Sequence, residues 1–342
     1  MPSHYDALLV LSFGGPEKPE EVLPFLENVL RGKNVPRERM LAVAEHYYHF
    51  GGISPINQQN RNLIAALQSH LEHQQMQLPI YWGNRNWHPM LADTVRKMKD
   101  DGVKNALAFV TSAYSSYSSC RQYLEDIHNA REVIGLGAPR IDKLRVFFNH
   151  PGFIKAMTDR VASAIDSVPT ADRKTLEILY TAHSIPETMS AGCDYVKQLY
   201  EACRLVTEQL GEFSWQLNYQ SRSGAPSQPW LEPDIGDALR IVKTRGTTRH
   251  VIIAPIGFVS DHMEILFDLD TEAREICDEL KLEMVRAKTV GSHPDFVAMI
   301  GDLIREKTEG VQPKVLGNLG VRLESCPANC CPSGRPPFNQ QK

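Results

Sequence analysis

His183, His262, Glu264, Asp268 and Glu272 are the residues whose types and spacing best suit chemistry. A neutral imidazole accepts protons near neutrality, and imidazole with carboxylate is a ligand combination suited to ferrous iron. His183 ends the apolar run 176-LEILYTAHSIPE-187, whose β-branched and aromatic content reads as a buried parallel strand. Pro186 cannot continue that strand inside a sheet. A second run, 251-VIIAPIGFVSDHMEILFDLD-270, presents His262, Glu264 and Asp268 beyond another strand end. Open α/β sheets bind ligands just beyond the carboxyl ends of their strands, so both segments point at a pocket.

Asp261-x-x-Glu264 also has the spacing of a capping box, in which Glu264 would close a helix N-terminus. Yet Glu264, Asp268 and Glu272 recur every four residues among the apolar Ile265, Leu266, Phe267 and Leu269. A carboxylate stripe on one side of such a helix is costly to bury, and would serve as a ladder for protons or divalent cations.

The elements that must position these residues alternate strand, loop and helix, which predicts an α/β fold with parallel sheets. Strands are expected at residues 5–12, 78–83, 105–111 and 144–149, then at 176–180, 215–221 and 250–256. One long helix is expected over 261–282 and a final helix over 295–307. The segment LEILYTAHSIP mirrors DALLVLSFGGP, a sign of internal duplication into two similar lobes with a cleft between them. The expected division is an N-terminal lobe over 1–150, a C-terminal lobe over 151–310 and an extension over 311–342. The Gly14-Gly15 pair after the first strand lacks the spacing of a dinucleotide fingerprint; it suits close approach of a flat ligand.

Charged residues at 23% and a net charge of −4 describe an ordinary globular chain without bulk attraction to nucleic acid. No apolar run approaches the ~18 residues of a membrane helix, and the N-terminus does not read as a secretory signal. A cytoplasmic setting is expected, where the seven cysteines would serve metal binding or packing rather than disulfides. Residues 30–39 (LRGKNVPRER) form a basic excursion, either a solvated loop or a cationic rim for a ligand with several carboxylates.

The segments LSFGGPE, HFGGISPIN, GNRNWHP, TAHSIP, QSRSGAPSQPWLEPD and GFVSDHMEILFDLD, with the cysteine-bearing tail, resemble the ferrochelatase family along essentially the whole chain. Within it the chain is most similar to the coproporphyrin III ferrochelatases of actinobacterial type. The resemblance implies a lyase of haem and porphyrin biosynthesis with two Rossmann-like, chelatase-type lobes. The porphyrin would lie in the cleft, and the last helix would pack back on the first lobe. His183 and Glu264 would flank the metal, His183 as proton acceptor, iron ligand or both. Asp268 and Glu272 would continue an acidic relay on a widened helix, with His262 beside them.

Phe13 would face the opposite side of the macrocycle, where it cannot coordinate iron. Ser54 and Tyr123 match propionate-binding positions, and Arg31 a rim arginine. His46 stands where some relatives carry a second arginine, and Arg85 matches a pocket arginine. Cys120, Cys326, Cys330 and Cys331 would hold a [2Fe–2S] cluster, with a four-cysteine zinc site as the other reading of the same thiols. Cys193, Cys203 and Cys277 would be buried or idle. Coproporphyrin III and ferrous iron are the expected partners of a monomer making transient contacts with neighbouring haem-pathway enzymes. Protoporphyrin IX as substrate and a non-catalytic haem or iron–sulfur sensor are the alternatives. Four propionates against two favour coproporphyrin at a basic rim.

Overall fold

The computed structural model describes residues 4–33, 35–224, 227–246, 248–322, 327 and 329–334. Two parallel four-stranded sheets organise the chain. The first holds β1 (Ala7–Ser12), β2 (Ile80–Asn84), β3 (Asn105–Val110) and β4 (Arg140–Lys143) in the order β2-β1-β3-β4. The second holds β5 (Glu177–His183), β6 (Ser214–Gln220), β7 (His250–Ala254) and β8 (Glu283–Arg286) in the order β6-β5-β7-β8. The two orders are equivalent, so the duplication read in the sequence is a duplication of topology. Each order reverses direction beside its first strand, which is where such sheets open a crevice.

The helices are α1 (Val22–Leu30), α2 (Arg37–His49), α3 (Ile56–His73), α4 (Leu91–Asp100), α5 (Gln122–Ile134) and α6 (Pro151–Asp166). There follow α7 (Glu187–Ser190), α8 (Tyr195–Leu210), α9 (Ile235–Arg245), α10 (Met263–Phe267), α11 (Arg274–Leu280) and α12 (Pro294–Thr308). Both faces of the sheets are covered, which is why the strands read as continuous apolar runs. Alternation along β1 sends Ala7, Leu9 and Leu11 to the side packed by α4 and α5, and Leu8 and Val10 to the other. That inner side belongs to one core spanning both lobes, from Leu8 and Phe109 through Phe147, Phe153 and Phe296 to Tyr180 and Ile252. Truncating a ring such as Phe296, fully buried there, costs about 3–5 kcal/mol.

Three expectations need correction. Residues 144–149 are not a strand: β4 precedes them, and Leu144 makes a last backbone bond to the Ala108 carbonyl at 2.9 Å. Beyond it the chain fills the inter-lobe core as coil, with Arg145 buried and paired to Glu306 at 2.7 Å. The long helix of 261–282 is three pieces, α10, a π-helical segment Asp268–Ala273 and α11, and β8 follows them unforeseen. The extension does not settle on the first lobe alone. Leu316 bonds Asn149, Asn318 bonds Glu201 of α8, and Pro332 lies against Gly192. The last helix, α12, does pack on α3 of the first lobe as well as on α6.

Candidate active site

β5 ends at His183 and β7 leads into α10, so neighbouring parallel strands deliver the two key side chains to one cleft. The His183 Nδ1–H donates to the Ser184 carbonyl at 2.5 Å, which fixes the ring and turns Nε2 toward Glu264 Oε1 at 3.6 Å. Tyr195, in the first turn of α8, holds the same strand end by donating its hydroxyl to the His183 carbonyl at 3.0 Å.

The capping-box reading of Glu264 fails for a local reason. The cap of α10 is His262, whose Nδ1 accepts from the Glu264 N–H at 3.3 Å. Asp261 is occupied elsewhere, by Arg286 at 2.6 Å and Thr289 at 3.1 Å. The Glu264 carboxylate is therefore left to the cleft. Gln59 of α3 grips both the N–H and the carbonyl of Asp261, at 2.9 and 3.0 Å, and so ties the first lobe to the start of α10.

Asp268 opens the π segment, where the widened turn suits a functional site. It accepts from Gln220 at 3.3 Å and from the Ser221 hydroxyl, and the Gln220 amide also bonds the Glu264 carbonyl at 3.0 Å. Ser221 adopts a φ of 60°, rare for a residue with a side chain, to make this contact. Gln220 and Ser221 were not singled out in the sequence; their place at the carboxyl end of β6 was the available signal.

Charge follows this geometry. Burial pulls the His183 pKa down, but Glu264, the Ser184 carbonyl and Asp268 outweigh it and raise it to about 9. Burial likewise pushes Glu264 up, yet His183, His262 and Lys33 bring it down to about 2. Asp268 is raised by burial and by Glu264 to about 7, against the Ser221 bond. Glu272 is raised by burial and by Asp234, and His262 is lowered by burial. The cleft thus carries an imidazolium–carboxylate pair followed by two carboxyls, Asp268 and Glu272, that bind protons more readily than usual. Such a row can take up protons or a divalent cation and pass them along the helix.

A family model described as ferrochelatase matches residues 5–308. The chain belongs to the ferrochelatase family. It is 57% identical to a ferrochelatase of Rhodopirellula baltica, over 96% of this chain and 93% of that one. It is 47% identical to the coproporphyrin III ferrochelatase of Streptomyces coelicolor, over 98% and 95% of the two chains. Among solved structures, SirB from Bacillus subtilis with Fe3+ superposes with a TM-score of 0.54 at 13% identity, covering 91% of this chain and 100% of that one. That likeness bears on the two-lobed chelatase fold.

A ferrochelatase inserts ferrous iron into a porphyrin, so the remaining predicted residues can be placed against that task. Phe13 follows the end of β1, 37% exposed, with its ring edge-on to Phe25. Arg31, Lys33, Arg37 and Arg39 are exposed, and Arg31 bonds the Asn28 side chain. His46 stacks face to face on Phe267 at 3.5 Å, a contact with no room for a ligand between the rings. Ser54 is buried against Gly15. Arg85 is turned toward α5, bonding Asp126 at 2.5 Å and lying over the Tyr123 ring at 3.8 Å. Tyr123 is buried beneath it. The structure thus places Phe13 and the basic loop at open positions, and Ser54, Arg85 and Tyr123 in the packed wall behind them.

Two of the tail thiols lie side by side. Cys120 lies in the π-type turn Tyr117–Arg121 before α5. Cys330 and Cys331 have sulfurs 3.5 Å apart, and both Cys120 and Cys193 lie close enough to raise the Cys331 pKa. Cys326 lies outside the described residues. Cys193 is half-buried and lies near the tail thiols, whereas Cys203 and Cys277 are fully buried within α8 and α11. Among the described residues, no helix is long and apolar enough to cross a membrane.

Proposed function

We propose that the chain inserts ferrous iron into coproporphyrin III, giving coproheme in a coproporphyrin-dependent route to haem b. The observation that carries the substrate choice is Lys33, whose charge reaches Glu264 and helps hold its carboxylate ionised. Lys33, within the basic stretch, therefore lies near enough to the metal pair for a cationic edge there to meet a bound porphyrin's carboxylates. Coproporphyrin brings four carboxylates to such an edge and protoporphyrin two. Relatives named coproporphyrin III ferrochelatases match nearly the whole chain.

Insertion requires two pyrrole protons to leave and iron to enter. In the resting site one proton sits on His183, held by Glu264. The charge of approaching Fe²⁺ disfavours that imidazolium, so its proton moves off as the metal arrives. Asp268, with a pKa of about 7, is matched to exchange protons near neutrality, and Glu272 extends the path. Neutral His183 Nε2 then accepts the two pyrrole protons in turn, each passed on to the Asp268 path and solvent, or binds the metal, while Glu264 offers the metal a carboxylate oxygen. Phe13 offers no axial ligand on the other face.

A [2Fe–2S] cluster on Cys120, Cys330, Cys331 and Cys326 is the second part of the proposal. The residues fit it. The same four thiols would also satisfy a tetrahedral zinc ion, the other reading of the site. One close pair with further thiols beside it suits two irons. Bound there, the cluster would supply a one-electron centre and pin the extension to the body. A reducing cytoplasm suits these thiols.

The test is anaerobic turnover with Fe²⁺ and each porphyrin in matched detergent, followed by porphyrin fluorescence. Coproporphyrin III should show the higher kcat/KM. Faster turnover of protoporphyrin IX would overturn the substrate assignment.

A further inference from the structure

We infer that Cys193 is an additional iron-ligating thiol of the extension site, able to take the place of Cys326. The inference rests on the cluster reading above and deepens it. Cys193 ends the short loop after α7, immediately before α8, and is half-buried rather than part of a helix interior. Cys330 lies close enough to raise the Cys193 pKa, and Cys193 close enough to raise that of Cys331. Among the described residues, its sulfur meets the Met189 and Ser190 carbonyls at 3.4 and 3.6 Å and accepts from the Tyr195 backbone N–H, weak contacts that a metal bond readily replaces.

The loop and the extension fit together closely. A Cβ at Gly192 would come within 2.7 Å of Pro332, so only glycine admits the tail at this point. Arg322 bridges Asp194 at 2.5 Å and the Cys330 sulfur at 3.5 Å, bringing a cation to the thiol group. Cys331 adopts a φ of 51°, in the region that side chains rarely occupy. Successive side chains of an extended strand point apart, yet these adjacent sulfurs converge to 3.5 Å. Backbone strain of this kind persists where the surroundings impose it, often at ligand sites.

The body thus offers two thiols, Cys120 and Cys193, to face the two of the tail. Ligation is a simple exchange: the Cys193 S–H gives its proton to solvent, and the sulfur lone pair forms the Fe–S bond at the vacated position. No electron is transferred.

The experiment compares wild type, Cys326→Ser, Cys193→Ser and the double variant, each full-length and purified without oxygen from iron-replete cells. The readouts are iron and acid-labile sulfide per chain, the visible spectrum, and alkylation of Cys193 by iodoacetamide read by mass spectrometry. Circular dichroism confirms that each is folded. Cys326→Ala repeats the comparison, because a serine oxygen can itself bind iron. Either Cys326 variant should keep at least about half of the wild-type sulfide with Cys193 now protected from alkylation, and the double variant less than about a tenth. Cys193→Ser alone should keep its cluster. Loss of the cluster in Cys326→Ala to the level of the double variant would overturn the inference, as would retention in the double variant. A wild type without sulfide would refute the cluster reading itself, and this inference with it.

Discussion

Glu264→Gln keeps the shape of the side chain and removes its charge, and so isolates what the carboxylate does for His183. Its oxygen lies 3.6 Å from Nε2. Unit charges at that separation attract by about 1 kcal/mol in bulk water and about 4–5 kcal/mol at an effective dielectric of about 20. The two side chains are 33% and 44% exposed, so solvent screens them. The lower part of that range applies, about 1–3 kcal/mol. At ~1.4 kcal/mol per pKa unit, the His183 pKa should fall from about 9 to roughly 7–8.

The sign for stability follows from the same shifts. The raised His183 pKa contributes stability fully below its ordinary 6.5 and loses it as pH rises through about 9. The depressed Glu264 contributes above its ordinary 4.5 and loses it as pH falls through about 2. The variant should therefore be less stable than wild type by about 1–3 kcal/mol near pH 6, with the difference fading above pH ~9. Heteronuclear NMR of labelled histidine, assigned with His183→Ala, reads the titration, and urea unfolding at pH 6 and 10 reads the stability. An unchanged His183 titration in Glu264→Gln would refute the charge pairing on which the proton path rests.

Asp268→Asn should lower turnover more mildly than Glu264→Gln; the wild-type rate should rise through pH ~7 as Asp268 ionises, and that limb should be absent in the variant. Arg31→Ala should cost coproporphyrin up to about fivefold in kcat/KM, since an exposed charge pair is worth ~1 kcal/mol at most, and should narrow the preference over protoporphyrin. Tyr195→Phe removes the donor to the His183 carbonyl and should destabilise the fold by about 1–2 kcal/mol in denaturant titration while reducing kcat more than it raises KM.

The strands carrying the site were legible because sheets covered on both faces demand apolar runs, and a polar residue ending such a run marks the crevice. His183 and Glu264 were found that way. The same signal misled at 144–149, since apolarity reports burial and not ladder pairing. There the inter-lobe core takes Phe147 and Phe148 as coil. The π segment at Asp268 was invisible to spacing alone, because a widened turn and an α-turn share nearly the same periodicity; the family resemblance supplied it. Asp261 had the right distance from Glu264 for a cap, but Arg286, on a strand that the sequence did not reveal, claimed its carboxylate. Arg85 and Tyr123 were identified through the family resemblance, yet only tertiary packing shows that they face each other. Cys193 gained its neighbours from the return of the extension, a contact between segments over a hundred residues apart in sequence.

The central claim is that His183 is the group through which protons leave and iron enters. Anaerobic iron insertion into coproporphyrin III by His183→Ala, with porphyrin affinity measured on the same protein, tests it most directly. The account predicts unchanged folding, near-wild-type porphyrin binding and turnover below about a tenth of wild type, a barrier increase above ~1.4 kcal/mol. Turnover above that tenth, with binding intact, would contradict it.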